Sequence, residues 1–464
     1  MTIKTRPDII ILGGGLAGLA AAWKLSASGA KVTVIEAMDH VGGLASSFSW
    51  RGTTLDIGPH KLYPQSESIR SFLLALLGED LVEQKKVAGI WLRGEKLRFP
   101  PSMKSGSAHL SFFMSGILSY AGAFAASHIR ARPDDSYEDY VINRFGRYLY
   151  EQVLKPQATK LWGRPDRLSS ELGRVRMPYS SLSEVIIGAV LKSRHGPEVS
   201  AGEFYYPKGG IGELAGRLAE GVTDNGGRLL LGRKATAVRP SQDGVEVDID
   251  KERLSANAVI STIAPDSLVR VIEPPVPGPV RRAADALKFR SLIVCYLSLG
   301  LPRFSDDHWI VFPEERYCFN RIYEARAFGI KGERQDETII AVEVTVDVDD
   351  LWSRDDDAVA DSIISDLVTT GLIKKADVLA SKIIRIKRAY PLLSLGYEVA
   401  RELVLSYLHG QPNVLCCGRS GLFIYNNMDH SLDMGLSAAE HILDGSTEAW
   451  PMSSKRFEGA RIID

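Results

Sequence analysis

The sequence predicts an α/β fold organised around a Rossmann-like dinucleotide-binding unit. Two observations near its start carry that expectation: a glycine-rich turn joining a strand to a helix, and an acid closing the next strand. Asp8-Ile9-Ile10-Ile11-Leu12 is a short apolar run of the kind that makes a buried parallel strand. Gly13-Gly14-Gly15-Leu16-Ala17-Gly18 follows at once. In this G-x-G-x-x-G pattern Gly13 permits the tight turn, Gly15 lets a pyrophosphate approach the backbone, and Gly18 lets the helix lie close to the sheet. The phosphates then meet a helix N-terminus, with Leu16 and Ala17 in its first turn. Helical residues run through Ala20 to Leu25 and stop by Gly29, and a second strand, Lys31-Val32-Thr33-Val34-Ile35, ends at Glu36. An acid there bonds both ribose hydroxyls and repels a 2′-phosphate.

Composition narrows the class. The chain has 464 residues, 45% hydrophobic and 24% charged, which suits a globular protein of two or three structural units. A formal net charge of -1 gives no general field for nucleic acid, and no basic run supplies one locally. Cys295, Cys318, Cys416 and Cys417 show no C-x-x-C spacing and read as reduced core cysteines. The βαβ unit begins within a few residues of Met1, which leaves no room for a signal peptide, so a cytoplasmic location is expected. No metal-ligand spacing emerges.

Residues 37–44, Ala37-Met38-Asp39-His40-Val41-Gly42-Gly43-Leu44, add a second glycine pair, which points to FAD rather than NAD. This extension resembles the fingerprint of FAD enzymes of the amine oxidase and protoporphyrinogen oxidase superfamily, and further motifs agree. Thr54-Leu55-Asp56-Ile57-Gly58-Pro59-His60 is similar to that group's loop under the flavin, and residues 204–212 to its return into the FAD domain. Gly418-Arg419 through Asn427-Met428-Asp429-His430 is similar to the closing flavin motif, in a form nearest to UDP-galactopyranose mutases. The resemblance implies non-covalent FAD held by Gly13, Gly15, Leu16, Ala17, Gly18, Glu36 and Ala37, then Gly43, Leu44 and Ala45. It adds Gly58, Pro59, His60, the backbone of Val238 at adenine, and Gly418, Arg419, Asn427, Met428 and Asp429.

Motifs for one cofactor at the start, middle and end imply a discontinuous FAD-binding domain with an inserted α+β substrate domain. The expected boundaries are 1–103, 203–285 and 403–464 for the first and 104–202 and 286–402 for the second. Strands are expected at 228–231, 244–249, 257–262, 289–297 and 338–344, and helical spacing returns at 355–370. The Pro-rich stretch 273–279 reads as a crossover between domains. Residues 428–431 read as a capped start to a C-terminal helix, whose positive end suits negative charge at flavin N1 and O2. Residues 105–129 carry no Asp, Glu, Lys or Arg and read as a buried or cavity-lining helix, with a peripheral membrane contact as the alternative.

For chemistry, His60 is a candidate proton carrier or structural hydrogen-bonder. Where mutases continue this motif to a second histidine, the chain has Tyr63. Thr159-Lys160-Leu161-Trp162 is similar to the mutase segment beside the sugar pocket, which makes Trp162 a candidate. Arg174 and Arg176 follow where mutases carry an arginine for a diphosphate, and arginine clamps phosphate bidentately. Phe423 and Tyr425 fall where mutases have diphosphate-contacting tyrosines. Lys288 is the candidate for the active-site lysine of amine oxidases. The favoured reading is an FAD-dependent oxidoreductase taking hydride from an amine, alcohol or conjugated C–H of a small molecule. The alternative is a non-redox enzyme acting on a nucleotide sugar through reduced flavin.

Overall fold

Five parallel strands form the sheet on which the predicted cofactor unit rests, in the order Val414–Cys416, Ala258–Ser261, Asp8–Leu12, Lys31–Ile35 and Arg228–Leu230. The computed structural model describes residues 6–98, 133–177, 202–347 and 351–445, with Ser115, Ser119, Trp450 and Ile462 besides. Ile9, Ile10, Ile11 and Leu12 are buried because the strand is central, with helices covering it, and a strand buried on both faces needs no alternation. Three distant parts of the chain thus supply one sheet, as a discontinuous Rossmann-like unit requires. The stretch 105–129, Ser115 and Ser119 apart, lies outside the described residues. Among the described residues, no helix is long and apolar enough to cross a membrane.

Small residues set how closely the helices approach. A Cβ on Gly18 would lie 2.0 Å from the Gly13 carbonyl oxygen, so the helix Leu16–Ala27 packs on its own strand only with glycine there. The helix Met428–Leu443 crosses it, and a Cβ on Gly435 would sit 2.1 Å from the Ala17 carbonyl oxygen. This last helix starts one residue after Asn427, so residues 428–431 form its first turn. Asn427 is the N-cap: its side chain accepts from the His430 amide, and its own amide donates to His430 Nδ1 at 3.2 Å.

A second, seven-stranded sheet runs in the order Val378–Pro391, Phe289–Leu299, Thr338–Val346, Arg321–Glu324, Trp309–Val311, Ala88–Leu92 and Glu95–Arg98. The hairpin 88–98 belongs to this sheet although it lies within 1–103. Its long central strands, Phe289–Leu299 and Thr338–Val346, extend the predicted runs by two residues each. Asp355 caps the helix Asp356–Thr370 by accepting from the Ala358 amide at 2.8 Å. The Pro-rich stretch is irregular to Pro277 and then opens the helix Gly278–Ala286, because Pro279 in a first turn gives up an amide that has no partner there anyway. A three-stranded antiparallel sheet, residues 235–256, completes the arrangement.

Asp56 ties the seven-stranded sheet to the small two-stranded sheets and the helix start at Ile211. Its carboxylate accepts from Ser47 Oγ at 2.6 Å, Tyr206 Oη at 2.6 Å and the Ile211 amide at 3.0 Å. Its main-chain carbonyl accepts from Tyr296 Oη and Tyr323 Oη, both at 2.6 Å and both on the seven-stranded sheet. Burial pushes the Asp56 carboxyl up to about 6, against three hydrogen bonds that favour its charged form. The folded state therefore binds this proton more tightly than the unfolded chain, and stability falls as pH rises from about 4 to 6. We expect this group to contribute about 2–3 kcal/mol below pH 4 that is lost above pH 6. Thermal unfolding of wild type and Asp56→Asn across pH 4–7 should show wild type losing its advantage as pH rises. Parallel curves would refute the assignment.

Candidate functional site

The glycine turn forms an open cradle. Gly13 takes φ of 104° and donates its amide to the Ile35 carbonyl at 2.9 Å, which folds the turn back over the strand ends. A Cβ added to Gly15 would meet nothing within 4 Å, so the space beside its backbone is free for a phosphate. Gly42 donates to the Gly14 carbonyl at 2.8 Å, and a Cβ on Gly43 would come 3.5 Å from the Gly15 Cα. The second glycine pair therefore lies against the first, followed by a short turn, Gly43–Ala45, that includes Leu44. Glu36 is fixed by two amides, accepting from Gly14 at 2.6 Å and Met38 at 2.8 Å. Two carboxylate oxygens held this way still offer lone pairs to a diol. Ala37 beside it is exposed. Val238 is fully buried in the three-stranded sheet, with its carbonyl accepting from the Glu273 amide at 2.8 Å.

The closing motif returns to this cradle. Gly418, at φ of 81°, faces Ala17 so closely that a Cβ would be 2.8 Å from the Ala17 Cβ. Arg419 bridges to Asn426 through Nε at 3.1 Å and through Nη2 to the carbonyl, which directs its guanidinium along the cavity wall. Asp429 is buried in the first turn of the last helix, where burial raises its carboxyl above the usual range. Its Oδ1 has no hydrogen-bond partner among the described residues. An open glycine cradle, an acid held at the end of the second strand and an unpartnered buried oxygen at a helix N-terminus together fit a bound flavin dinucleotide.

A cavity of about 290 Å³ lies between the flavin loop and the seven-stranded sheet. Pro59, His60, Trp162, Arg176, Arg419, Tyr425, Asn427 and Met428 all border it. His60 Nδ1–H donates to the Gly58 carbonyl at 2.9 Å, leaving Nε2 as an acceptor. Burial, with Arg419, Arg321 and Lys61 nearby, pushes its pKa down to about 3, so the imidazole is neutral. Trp162 Nε1 donates to Tyr425 Oη at 2.6 Å, and Tyr425 stacks on Tyr390 at 5.9 Å between centroids. Arg176 lies 5.6 Å from the Trp162 ring and 6.0 Å from that of Tyr425. Lys160 holds the helix Lys155–Trp162 in place by donating to the carbonyls of Phe312, Glu314 and Phe319, and burial brings its pKa down to about 8.

Four of the catalytic and substrate candidates lie off the cavity. Arg174 is half exposed and faces Asp134 at 3.7 Å, because residues two apart on the helix Ser170–Arg176 point to opposite sides. Phe423 is fully buried at φ of 51°, edge-on to Phe289 at 5.0 Å. Tyr63 is buried against Phe204. Lys288 is exposed where the helix Gly278–Ala286 leads into the strand Phe289–Leu299. Sequence reasoning missed Lys61, Lys86, Trp309, Arg321 and Tyr390, all of which border the cavity. Arg321 donates through Nε to buried Glu343 at 2.7 Å, and their strands pair these two residues directly. Only the alternation of the strand Arg321–Glu324 hinted at this, and alternation does not say which face meets a ligand.

Among solved structures, reduced UDP-galactopyranose mutase superposes with a TM-score of 0.83 at 21% identity, covering 98% of each chain. A putative protoporphyrinogen oxidase from Exiguobacterium sp. 255-15 gives a TM-score of 0.72 at 19% identity, covering 95% of this chain and 100% of the other. At such identities the likeness concerns the fold. Phytoene desaturase (neurosporene-forming) of Rhodobacter capsulatus is 25% identical over 283 residues, which are 54% of this chain and 51% of the relative. The chain spans about half the length of the first curated relatives it matches. The family model described as flavin containing amine oxidoreductase matches residues 16–443, in keeping with the cradle and closing motif, and the chain belongs to that family.

Proposed function

We propose that this flavoprotein is an oxidoreductase that takes a small anionic molecule into the cavity and removes hydride from one of its C–H bonds. The observation that carries the anionic character is the lining: Lys61, Lys86, Arg176, Arg321 and Arg419 border the cavity, and no carboxylate does among the described lining residues. A cationic amine about 6 Å from any one of these groups would be repelled by roughly 3 kcal/mol at an effective dielectric of about 20. A phosphate or carboxylate gains by the same rule. Bound non-covalently, the flavin supplies the hydride acceptor.

The chain's own residues bind, orient and exclude water. Arg176, backed by the Trp162–Tyr425 hydrogen bond, presents a planar donor fork to an oxyanion. Tyr390 and Tyr425 form an aromatic wall beside it. Neutral His60 offers Nε2 as an acceptor and carries no charge that would compete with the arginines. A second reading, nucleotide-sugar isomerisation without net oxidation, draws on the grouping of Arg176, Trp162, Tyr390 and Tyr425, which suits a diphosphate beside an aromatic wall. Turnover of UDP- or dTDP-sugars only after dithionite reduction would select it over the oxidoreductase, which turns over aerobically.

Arg176→Ala should raise the dissociation constants of UDP and dTDP ten- to hundredfold, about 1.4–2.7 kcal/mol, read by flavin fluorescence with the visible spectrum unchanged. Arg176→Lys should recover little, because a point charge does not reproduce the fork. Arg174→Ala should stay within about threefold of wild type, since its side chain faces Asp134. Equal losses at both positions would overturn this placement. For His60, long-range proton–nitrogen spectra of labelled protein, assigned with His60→Gln, should show a neutral Nδ1–H ring from pH 8 down to 5. The folded ring refuses a proton that the unfolded chain accepts below about 6.5, so it costs stability as pH falls through that range. A midpoint near 6.5 would count against a buried, cation-flanked imidazole.

A further inference from the structure

Two sides of the cavity are joined by one ammonium group that does not itself border it. The helix Lys155–Trp162 supplies Gln157, Leu161 and Trp162 to one side. The strands Trp309–Val311 and Arg321–Glu324 supply Trp309, Val311 and Arg321 to the other, with Asn320 next to them. Between those strands the chain makes an irregular excursion over 312–320, closed at its base by the Phe312 amide donating to the Asn320 carbonyl at 2.9 Å. Lys160 reaches from the helix into this excursion. Its Nζ donates to the Phe312 carbonyl at 2.6 Å, to the Glu314 carbonyl at 3.0 Å and to the Phe319 carbonyl. Phe312 follows Val311 and Phe319 precedes Asn320, so two of the three acceptors belong to residues next in the chain to cavity-lining ones.

Donor count makes this contact sensitive to a single proton. A lysine ammonium has three donors and no acceptor, and here all three are engaged by carbonyls. A neutral amine keeps two donors and gains a lone pair, so one carbonyl loses its partner. The remaining ties do not do the same work. Arg290 donates to the carbonyls of Leu161 at 3.2 Å and Lys160 at 3.4 Å, which anchors the helix end to the strand Phe289–Leu299. The Cys318 amide donates to Asp366 at 2.7 Å, which anchors the excursion to the helix Asp356–Thr370. Neither joins the helix Lys155–Trp162 to the excursion. Burial brings the Lys160 pKa down to about 8 against the opposing pull of Cys318, Asp366, Glu314 and Glu315, the titratable groups of the excursion and of the helix behind it. Burial also pushes the Cys318 thiol far up, so it does not ionise in the same range.

We propose that Lys160 is a positioning residue whose protonated side chain clasps the helix side of the cavity to the sheet side, ordering the cavity for an anion and slackening it when the amine is neutral. The binding consequence rests on the reading of the cavity as an anion site; the clasp between the two sides does not. Because the folded chain holds this proton less tightly than the unfolded one, the group adds stability as pH rises from about 8 to 10.5. A loss of order or affinity as the amine forms is therefore local and no symptom of unfolding.

The test compares flavin-loaded wild type with Lys160→Arg, which keeps its cation throughout, and Lys160→Met, which keeps the aliphatic stem. Hydrogen exchange without ligand, compared between proteins at one pH so that intrinsic rates cancel, reads the clasp directly. At pH 7, Lys160→Met should lose about tenfold protection in 155–163 and 309–322 together, with 8–36 unchanged, while Lys160→Arg stays within about threefold of wild type. At pH 9, wild type should have loosened in the same two segments relative to Lys160→Arg. UDP binding, followed by flavin fluorescence, should weaken about fivefold in wild type relative to Lys160→Arg between pH 7 and 9.5, with a midpoint near 8. If Lys160→Met does not load flavin, wild type against Lys160→Arg at pH 9 decides. Equal exchange of those two proteins at pH 9, or loosening of one segment only, overturns the clasp. Failure of wild type to bind UDP at any pH would instead overturn the anion reading and leave the exchange result to judge Lys160.

Discussion

One residue, Asp56, carries the joint on which the site depends. Its carboxylate gathers the Ser47 hydroxyl, the Tyr206 phenol and the Ile211 amide, while its carbonyl takes two phenols from the seven-stranded sheet. Five hydrogen bonds on two acceptor groups leave little freedom for the next residues, Ile57-Gly58-Pro59-His60, the last two of which border the cavity. Each phenol is buried and would be costly to leave unpaired, so the joint is held from both sides. The geometry of His60 is therefore inherited from a residue four positions away that does not border the cavity. Gly58 shares the constraint: at φ of 92° a Cβ there would lie 3.0 Å from Glu343 Oε1, the carboxylate that also holds Arg321.

The cofactor unit was legible in the sequence because its signals are local. A strand, a glycine turn, a helix and an acid follow within 29 residues, from Asp8 to Glu36, each with a conformational reason visible in the residue type. The same holds for the closing motif, where Gly418 and Asn427 are residues that a positive φ and a helix cap call for. The cavity wall built by the sheet was not legible. Arg321, Tyr390, Lys86 and Trp309 reach one cavity only through a sheet whose neighbours are separated by long stretches of chain, and no short-range pattern specifies such pairing. Arg174 and Arg176 were equivalent by spacing to the motif, yet helical geometry sends them to opposite sides.

The electrostatic design of the cavity follows from that pairing. Arg321 has Glu343 directly opposite it on the neighbouring strand, so its positive charge is partly compensated and its orientation set by Nε. Arg419 is oriented by neutral partners, the side chain and carbonyl of Asn426. Lys61 is oriented by aromatic rings. Three cations are thus aimed by three different kinds of contact: an ion pair, hydrogen bonds to neutral groups, and aromatic rings.

The helix Met428–Leu443 also constrains how the protein comes to be made. Its Gly435 lies on the Ala17 carbonyl, and the edge strand Val414–Cys416 comes from the same late part of the chain. During synthesis the glycine cradle leaves the ribosome hundreds of residues before its covering helix, with a long apolar face of Leu16–Ala27 waiting for it. Capture of the dinucleotide is then a late event, and a nascent chain interrupted before residue 428 carries an exposed, sticky half-site that invites chaperone attention.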